Sequence, residues 1–160
     1  MGTRLTYAPE NGWPYSHDGI HDSQTHLAAP AFFYEQLRRE IALSSRTQIL
    51  ISAVKIIFER HLIGQNNSVV GAEDVLRFSC QLRELTRTED CIGRLGTNEC
   101  VILISGGHIP AQQLMSRLHS SQSLSVNQTL RISLAMVTAT HGENGLELLN
   151  RLDLEPLSTH

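Results

Sequence analysis

The stretch Arg87-Thr-Glu-Asp90-Cys-Ile-Gly-Arg94-Leu-Gly96-Thr-Asn-Glu-Cys100-Val-Ile-Leu-Ile104 decides the fold of this chain. It begins with the polar end of a helical pattern, passes through a short apolar segment and a glycine-bearing turn at residues 96–98, and ends in the unbroken apolar run 100–104. Two apolar segments joined by such a turn are typical of a β-hairpin, and an unbroken apolar run is typical of a strand buried on both faces. The stretch therefore predicts a hairpin whose second strand lies inside a sheet.

Apolar periodicity predicts the elements on either side of this hairpin. Pro30 suits the first turn of a helix, and Phe33, Tyr34, Leu37 and Ile41 follow it at helical spacing. The other predicted elements are a buried strand over residues 48–54, a helix over residues 73–86 with Val75, Leu76, Phe78 and Leu82 on its apolar face, a helix after Pro110, a strand over residues 130–138 and a short helix over residues 146–152. The predicted order is helix, strand, helix, hairpin, helix, strand and short helix.

Composition and charge exclude several functional classes. The chain has 160 residues, enough for one domain, and its net charge of −3 shows no basic stripe, so we expect no nucleic-acid polymer as a partner. Cys80, Cys91 and Cys100 lack Cys-x-x-Cys spacing, which favours reduced, buried thiols over a disulfide or a zinc site. No apolar run reaches the roughly 18 residues that span a bilayer, and no secretory leader pattern is present. We therefore expect a cytoplasmic domain without direct membrane insertion.

The first part of the chain has a different character. Residues 1–21 are polar and interrupted by glycine and proline, which predicts an N-terminal arm or linker. His17 and His21 would share one face with nearby aspartates if this segment were helical, as a metal site requires. The glycine and proline breaks argue against a helix, so no metal site is predicted there.

The hairpin stretch also resembles a known family. Arg87, Asp90, Arg94, Gly96 and Glu99 fall on the spacing of R-x-x-D, three residues, R, one residue and G-G-D-E-F, the core of the GGDEF (diguanylate cyclase) domain. Residues 22–33 and 72–76 are similar to two further segments of that family, and the resemblance covers about residues 22–150. It implies an α/β, palm-like fold with a central, mostly antiparallel sheet flanked by helices. The corresponding domain is residues 22–152, followed by a C-terminal tail of residues 153–160.

The resemblance implies that the catalytic residues are lost. Val54 and Ile56 stand where the family has two metal-binding aspartates, and Leu62 stands where it has a guanine-binding asparagine. Asn98 replaces the aspartate of the signature, and no lysine follows residue 150. Joining two GTP molecules needs metal ions held by carboxylates. We therefore expect no catalytic residue, no metal and no cofactor, and the chain is predicted not to be an enzyme; residual GTP binding is the least favoured alternative.

The family's second site, which binds cyclic di-GMP without chemistry, has its motif intact. The resemblance assigns this site to Arg87 and Asp90, with Arg94 and Arg117 assisting. A guanidinium can donate two hydrogen bonds to a guanine edge or pair with a phosphate, and an aspartate can accept from the guanine N–H donors. The alternative is a surface ion pair that closes the end of the helix, worth about 0–1 kcal/mol.

Two functions from different classes remain open from the sequence. The first is a catalytically inactive GGDEF-like receptor that binds cyclic di-GMP and biases contact with a protein partner or a second copy of the chain. The second is a dimerisation or protein-docking scaffold that binds no nucleotide. The intact R-x-x-D motif favours the receptor, because the scaffold leaves it unexplained.

Overall fold

The computed structural model describes residues 20–60, 70–121, 124 and 130–159. Four helices and five strands lie within these ranges: α1 (Pro30–Thr47), β1 (Ile51–Arg60), α2 (Ala72–Leu85), β2 (Cys91–Gly96), β3 (Glu99–Ser105), α3 (His108–Ser120), β4 (Leu130–Thr138), α4 (Gly145–Leu154) and β5 (Ser158–Thr159). This order confirms the predicted sequence of elements and adds β5, which the sequence pattern does not predict. No helix in the described ranges is long and apolar enough to cross a membrane.

The strands form one antiparallel sheet in the order β2-β3-β1-β4-β5. β2 and β3 make the predicted hairpin, in which Gly96 pairs with Glu99 across the turn. The second strand of the hairpin lies between β2 and β1, and residues 100–104 are all buried. The prediction of an α/β fold with a central antiparallel sheet flanked by helices is confirmed.

Helices cover both faces of the sheet. Because alternate residues of a strand point to opposite faces, the sheet has two separate apolar layers. One layer packs against α2 and α3 and contains Val54, Ile56, Phe58, Phe78, Leu82, Ile102, Leu114 and Leu118. The other packs against α1 and α4 and contains Phe33, Leu37, Ala53, Val101, Val137, Leu148 and Leu152. The turns that join the elements therefore lie at the ends of the sheet.

The structure corrects two details of the predicted elements. β1 begins at Ile51, not at residue 48, because Gln48 adopts a left-handed conformation (φ 63°) that ends α1. Ile49 and Leu50 form an exposed connection, and the strand extends to Arg60. Two of the side chains that periodicity places on apolar faces are about half exposed: Tyr34 at 49% and Leu76 at 46%.

Residues 20–29 lie along the outer edge of β2 and are here called the strap. The Ala28 N–H donates to the Ile92 carbonyl at 2.9 Å, and the Arg94 N–H donates to the Ala28 carbonyl at 2.9 Å. These bonds satisfy backbone groups that an edge strand otherwise leaves open. The predicted arm lies mostly outside the described residues, as do His17 and Leu62. At the other edge, Ser158 and Thr159 pair with β4.

Candidate functional site

The turn between α2 and β2 holds the two residues of the R-x-x-D motif. The Asp90 Oδ2 atom accepts a hydrogen bond from the Arg87 backbone N–H at 3.0 Å, and the Asp90 N–H donates to the Arg87 carbonyl at 3.1 Å. The carboxylate therefore closes the turn through the Arg87 backbone. Within the described part of the chain, the guanidinium groups of Arg87 and Arg117 make no ion pair shorter than 4.0 Å.

Three of the four predicted site residues meet at one cleft. Arg87, Asp90 and Arg117 line it, and the end of β3 and the start of α3 form its floor. Burial raises the pKa of Asp90, while its hydrogen bond from the Arg87 backbone and the charges of Arg87 and Arg117 oppose that shift. The cleft thus places two guanidinium groups beside one half-buried carboxylate. Such an arrangement presents donors and an acceptor to one ligand.

Arg94, the fourth predicted residue, does not belong to this cleft, and its assignment is corrected. Its side chain is only 2% exposed and forms an ion pair with fully buried Asp22 at 3.1 Å. It also donates to the Gln24 side chain at 2.7 Å and to the Thr97 carbonyl at 2.8 Å. These partners tie the strap to the hairpin turn. Arg94 is therefore a structural residue.

The two positions that the resemblance assigns to the family's metal-binding aspartates face the interior. Val54 and Ile56 are fully buried in the layer that packs against α2 and α3. Glu99 lies on the opposite side of the sheet, at a cavity of about 640 Å³ that Tyr34 and Asp153 also line. Among the described residues, no group of three or more His, Cys, Asp or Glu side chains is placed to hold a metal ion.

A buried lysine beside this cavity was missed at the sequence level. Lys55 is 6% exposed, and its Nζ atom lies 3.3 Å from Asp153 Oδ1 on α4. Burial raises the pKa of Glu99, and the charge of Lys55 opposes that shift. In the sequence, the signal for Lys55 is a charged residue inside an apolar strand. Such a residue predicts a buried lysine, which needs a partner of opposite charge. Cys100 is buried and its pKa is raised to about 12, which does not suit a nucleophile.

Known proteins resemble this chain in structure. The sequence matches no protein-family model and no curated protein. The GGDEF domain of DgcB from Caulobacter crescentus, solved in complex with cyclic di-GMP, is similar with a TM-score of 0.70 and 18% identity, over 86% of this chain and 88% of that one. The chain has the GGDEF-domain fold.

Two further solved structures agree with this fold. The GGDEF domain of PA1120 (TpbB or YfiN) from Pseudomonas aeruginosa gives a TM-score of 0.66 at 19% identity, with 84% of each chain covered. The diguanylate cyclase SiaD from P. aeruginosa, in complex with its activator SiaC, gives 0.69 at 18% identity, over 84% of this chain and 55% of that one. The chain thus spans little more than half of SiaD. At these identities the likeness establishes the GGDEF fold alone.

Proposed function

We propose that this GGDEF-like domain is a catalytically inactive receptor for cyclic di-GMP. The observation that carries the proposal is the cleft in which Arg87, Asp90 and Arg117 lie together. Arg117 lies on α3, outside the motif, so the motif alone does not bring it to Arg87. Ligand binding accounts for the presence of all three residues in one cleft, whereas an ion pair that closes the helix end does not account for Arg117.

The chemistry of the cleft suits a guanine nucleotide with phosphate groups. The Asp90 carboxylate can accept from the N–H donors of a guanine edge, while one guanidinium can donate to the guanine O6 and N7 atoms. The second guanidinium can pair with a phosphate oxygen. DgcB, which has the same fold, was solved in complex with cyclic di-GMP, and this supports the choice of ligand.

The absence of cyclase activity is proposed from the chemistry of the buried positions. Val54 and Ile56 carry hydrocarbon side chains, which cannot hold a divalent cation, and both are fully buried. Phosphoryl transfer between two GTP molecules requires such ions to neutralise the phosphate oxygens. Glu99 remains half-buried near Lys55, but one carboxylate does not provide a two-metal site.

Isothermal titration calorimetry of the purified chain tests the receptor proposal directly. We expect cyclic di-GMP to bind with micromolar or tighter affinity, and GTP with Mg²⁺ to give no binding heat. The Arg87→Ala variant should lose binding without loss of the fold, because the Arg87 side chain is exposed and makes no ion pair among the described residues. Arg77→Ala, on the preceding helix α2, is the matched control and should bind like the wild type. Absence of heat with cyclic di-GMP would overturn the proposal.

A docking scaffold is the second candidate, and one surface favours it. Ile49, Leu50 and Ile109 are 56%, 48% and 68% exposed. Leu50 lies beside the start of α3, where its carbonyl accepts from the Gly106 N–H. SiaD, which has the same fold, was solved with a protein activator. A scaffold that needs no nucleotide would retain its partner or its self-association in the Arg87→Ala variant, which light scattering of the purified chain would measure.

A further inference from the structure

A second cavity also borders the R-x-x-D turn. It is a groove of about 530 Å³ between the strap, the first turns of α1 and the end of α2, and Arg87 and Asp90 line both cavities. His21 of the strap, Phe32 of α1 and Arg83 of α2 form three of its walls. Nothing in the sequence motif accounts for these three residues.

The sizes of the two cavities separate their roles. The cleft has a volume of about 30 Å³, which admits the edge of a base or a phosphate oxygen but not a whole nucleotide. Sites that enclose small ligands usually have volumes of about 300–1,000 Å³. The groove falls within that range, so it can hold the body of a ligand that also reaches Arg87 and Asp90.

The walls of the groove carry the groups that recognise a planar base and a phosphate. The rings of His21 and Phe32 are stacked, with centroids 6.4 Å apart and planes at 28°, and both residues are exposed. Arg83 is held in place because its Nη2 atom donates to the Thr25 carbonyl at 3.0 Å. Aromatic faces and guanidinium planes both stack on nucleobases, and a guanidinium also pairs with phosphate.

The geometry points to the groove as the base-stacking half of the cyclic di-GMP site. One guanine edge is read at the cleft by Arg87, Asp90 and Arg117, while the second base stacks on the Phe32–His21 face. Arg83 contacts the phosphate that joins the two halves. This inference rests on the proposed receptor function and assigns three binding residues that the R-x-x-D motif does not include. It also makes the strap part of the ligand site.

Matched variants test the groove separately from the cleft. Phe32→Leu removes the aromatic face at an exposed position of the groove. Tyr34→Leu is its control on the same helix, because Tyr34 lines the separate cavity beside Glu99. Arg83→Gln removes the guanidinium, and Arg77→Gln is its control on the same helix. We expect the two groove variants to bind cyclic di-GMP about tenfold more weakly or worse, and the controls to change affinity less than about twofold.

Hydrogen exchange of the strap provides a readout that a purely structural role would not change. Saturating cyclic di-GMP should slow exchange of the amides of residues 21–28 in the wild type and much less in Phe32→Leu, with equal melting temperatures for the unliganded proteins. Wild-type affinity in both groove variants, with binding lost in Arg117→Ala, would overturn the groove assignment and leave the receptor proposal standing. No binding of cyclic di-GMP by the wild type would overturn both.

Discussion

Arg87 and Arg94 belong to one stretch of sequence, yet their side chains have different environments. Arg94 points into the protein, where Asp22, Gln24 and the hairpin turn accept its hydrogen bonds. Arg87 remains exposed at the end of the helix. Burial therefore separates a structural arginine from an arginine that is open to a ligand, and the spacing of the two residues in the sequence cannot make that distinction.

Replacing Arg94 should destabilise the protein strongly. In Arg94→Met the fully buried carboxylate of Asp22 loses its positive partner, and an uncompensated buried charge typically costs about 3–5 kcal/mol. The Asp22 Oδ1 atom already has no hydrogen-bond partner among the described residues, so the local structure offers no replacement. Urea denaturation measures the change in the free energy of unfolding.

Arg77→Met is the control for this substitution, because it breaks an exposed pair with Glu73 in which the side chains are 56% and 77% exposed. That pair should contribute less than about 1 kcal/mol. A similar small loss in Arg94→Met would show that the buried network contributes little to stability.

At the scale of elements, local patterns were sufficient for some predictions and insufficient for others. The hairpin, α2 and β4 follow from periodicity and turn residues, because these signals lie within each element. The strap and β5 depend on partners distant in the sequence, such as the bond from the Arg94 N–H to the Ala28 carbonyl. The pairing of Lys55 with Asp153 is also of this kind. In the candidate site, the motif predicted Arg87 and Asp90, whereas Arg83 and Phe32 became visible only once α1, α2 and the strap were packed together.

The packing of α1 against β2 gives a prediction at this scale. A Cβ atom added at Gly93 would lie 2.6 Å from Phe33 Cγ and 2.9 Å from Phe33 Cβ, so the helix cannot keep its position. Gly93→Ala should therefore destabilise the protein by about 1–3 kcal/mol or more, as overpacked cores do. Thermal or urea unfolding measures this effect.

The nearby Gly96→Ala variant is the control, because its Cβ would meet no atom closer than 3.4 Å. Phe33→Ala removes the Cγ atom, so the double variant with Gly93→Ala should lose less stability than the sum of the two single losses if the clash with Phe33 is the cause. A Gly93→Ala variant as stable as Gly96→Ala would show that α1 does not pack on β2 at this distance.

At the scale of the whole molecule, the candidate site joins parts that are far apart in the sequence. The cleft and the groove together are lined by residues of the strap, α1, the end of α2, the end of β3 and α3. These elements pack on both faces and on one edge of the sheet. Since a ligand that binds only the folded state stabilises it by mass action, binding at this position should stabilise the entire domain.

This argument predicts a nucleotide-dependent melting temperature. Cyclic di-GMP at about 100 times its Kd should add about 2.7 kcal/mol to the free energy of unfolding, which for a chain of this size raises Tm by roughly 5–10 °C. Differential scanning calorimetry measures the shift, and Arg87→Ala should show almost none. GTP with Mg²⁺ should leave Tm unchanged, because the buried hydrocarbon side chains of Val54 and Ile56 cannot hold a divalent cation. Equal shifts with GTP and cyclic di-GMP would show that the protein does not distinguish the dinucleotide from a mononucleotide, and would contradict the proposed receptor function.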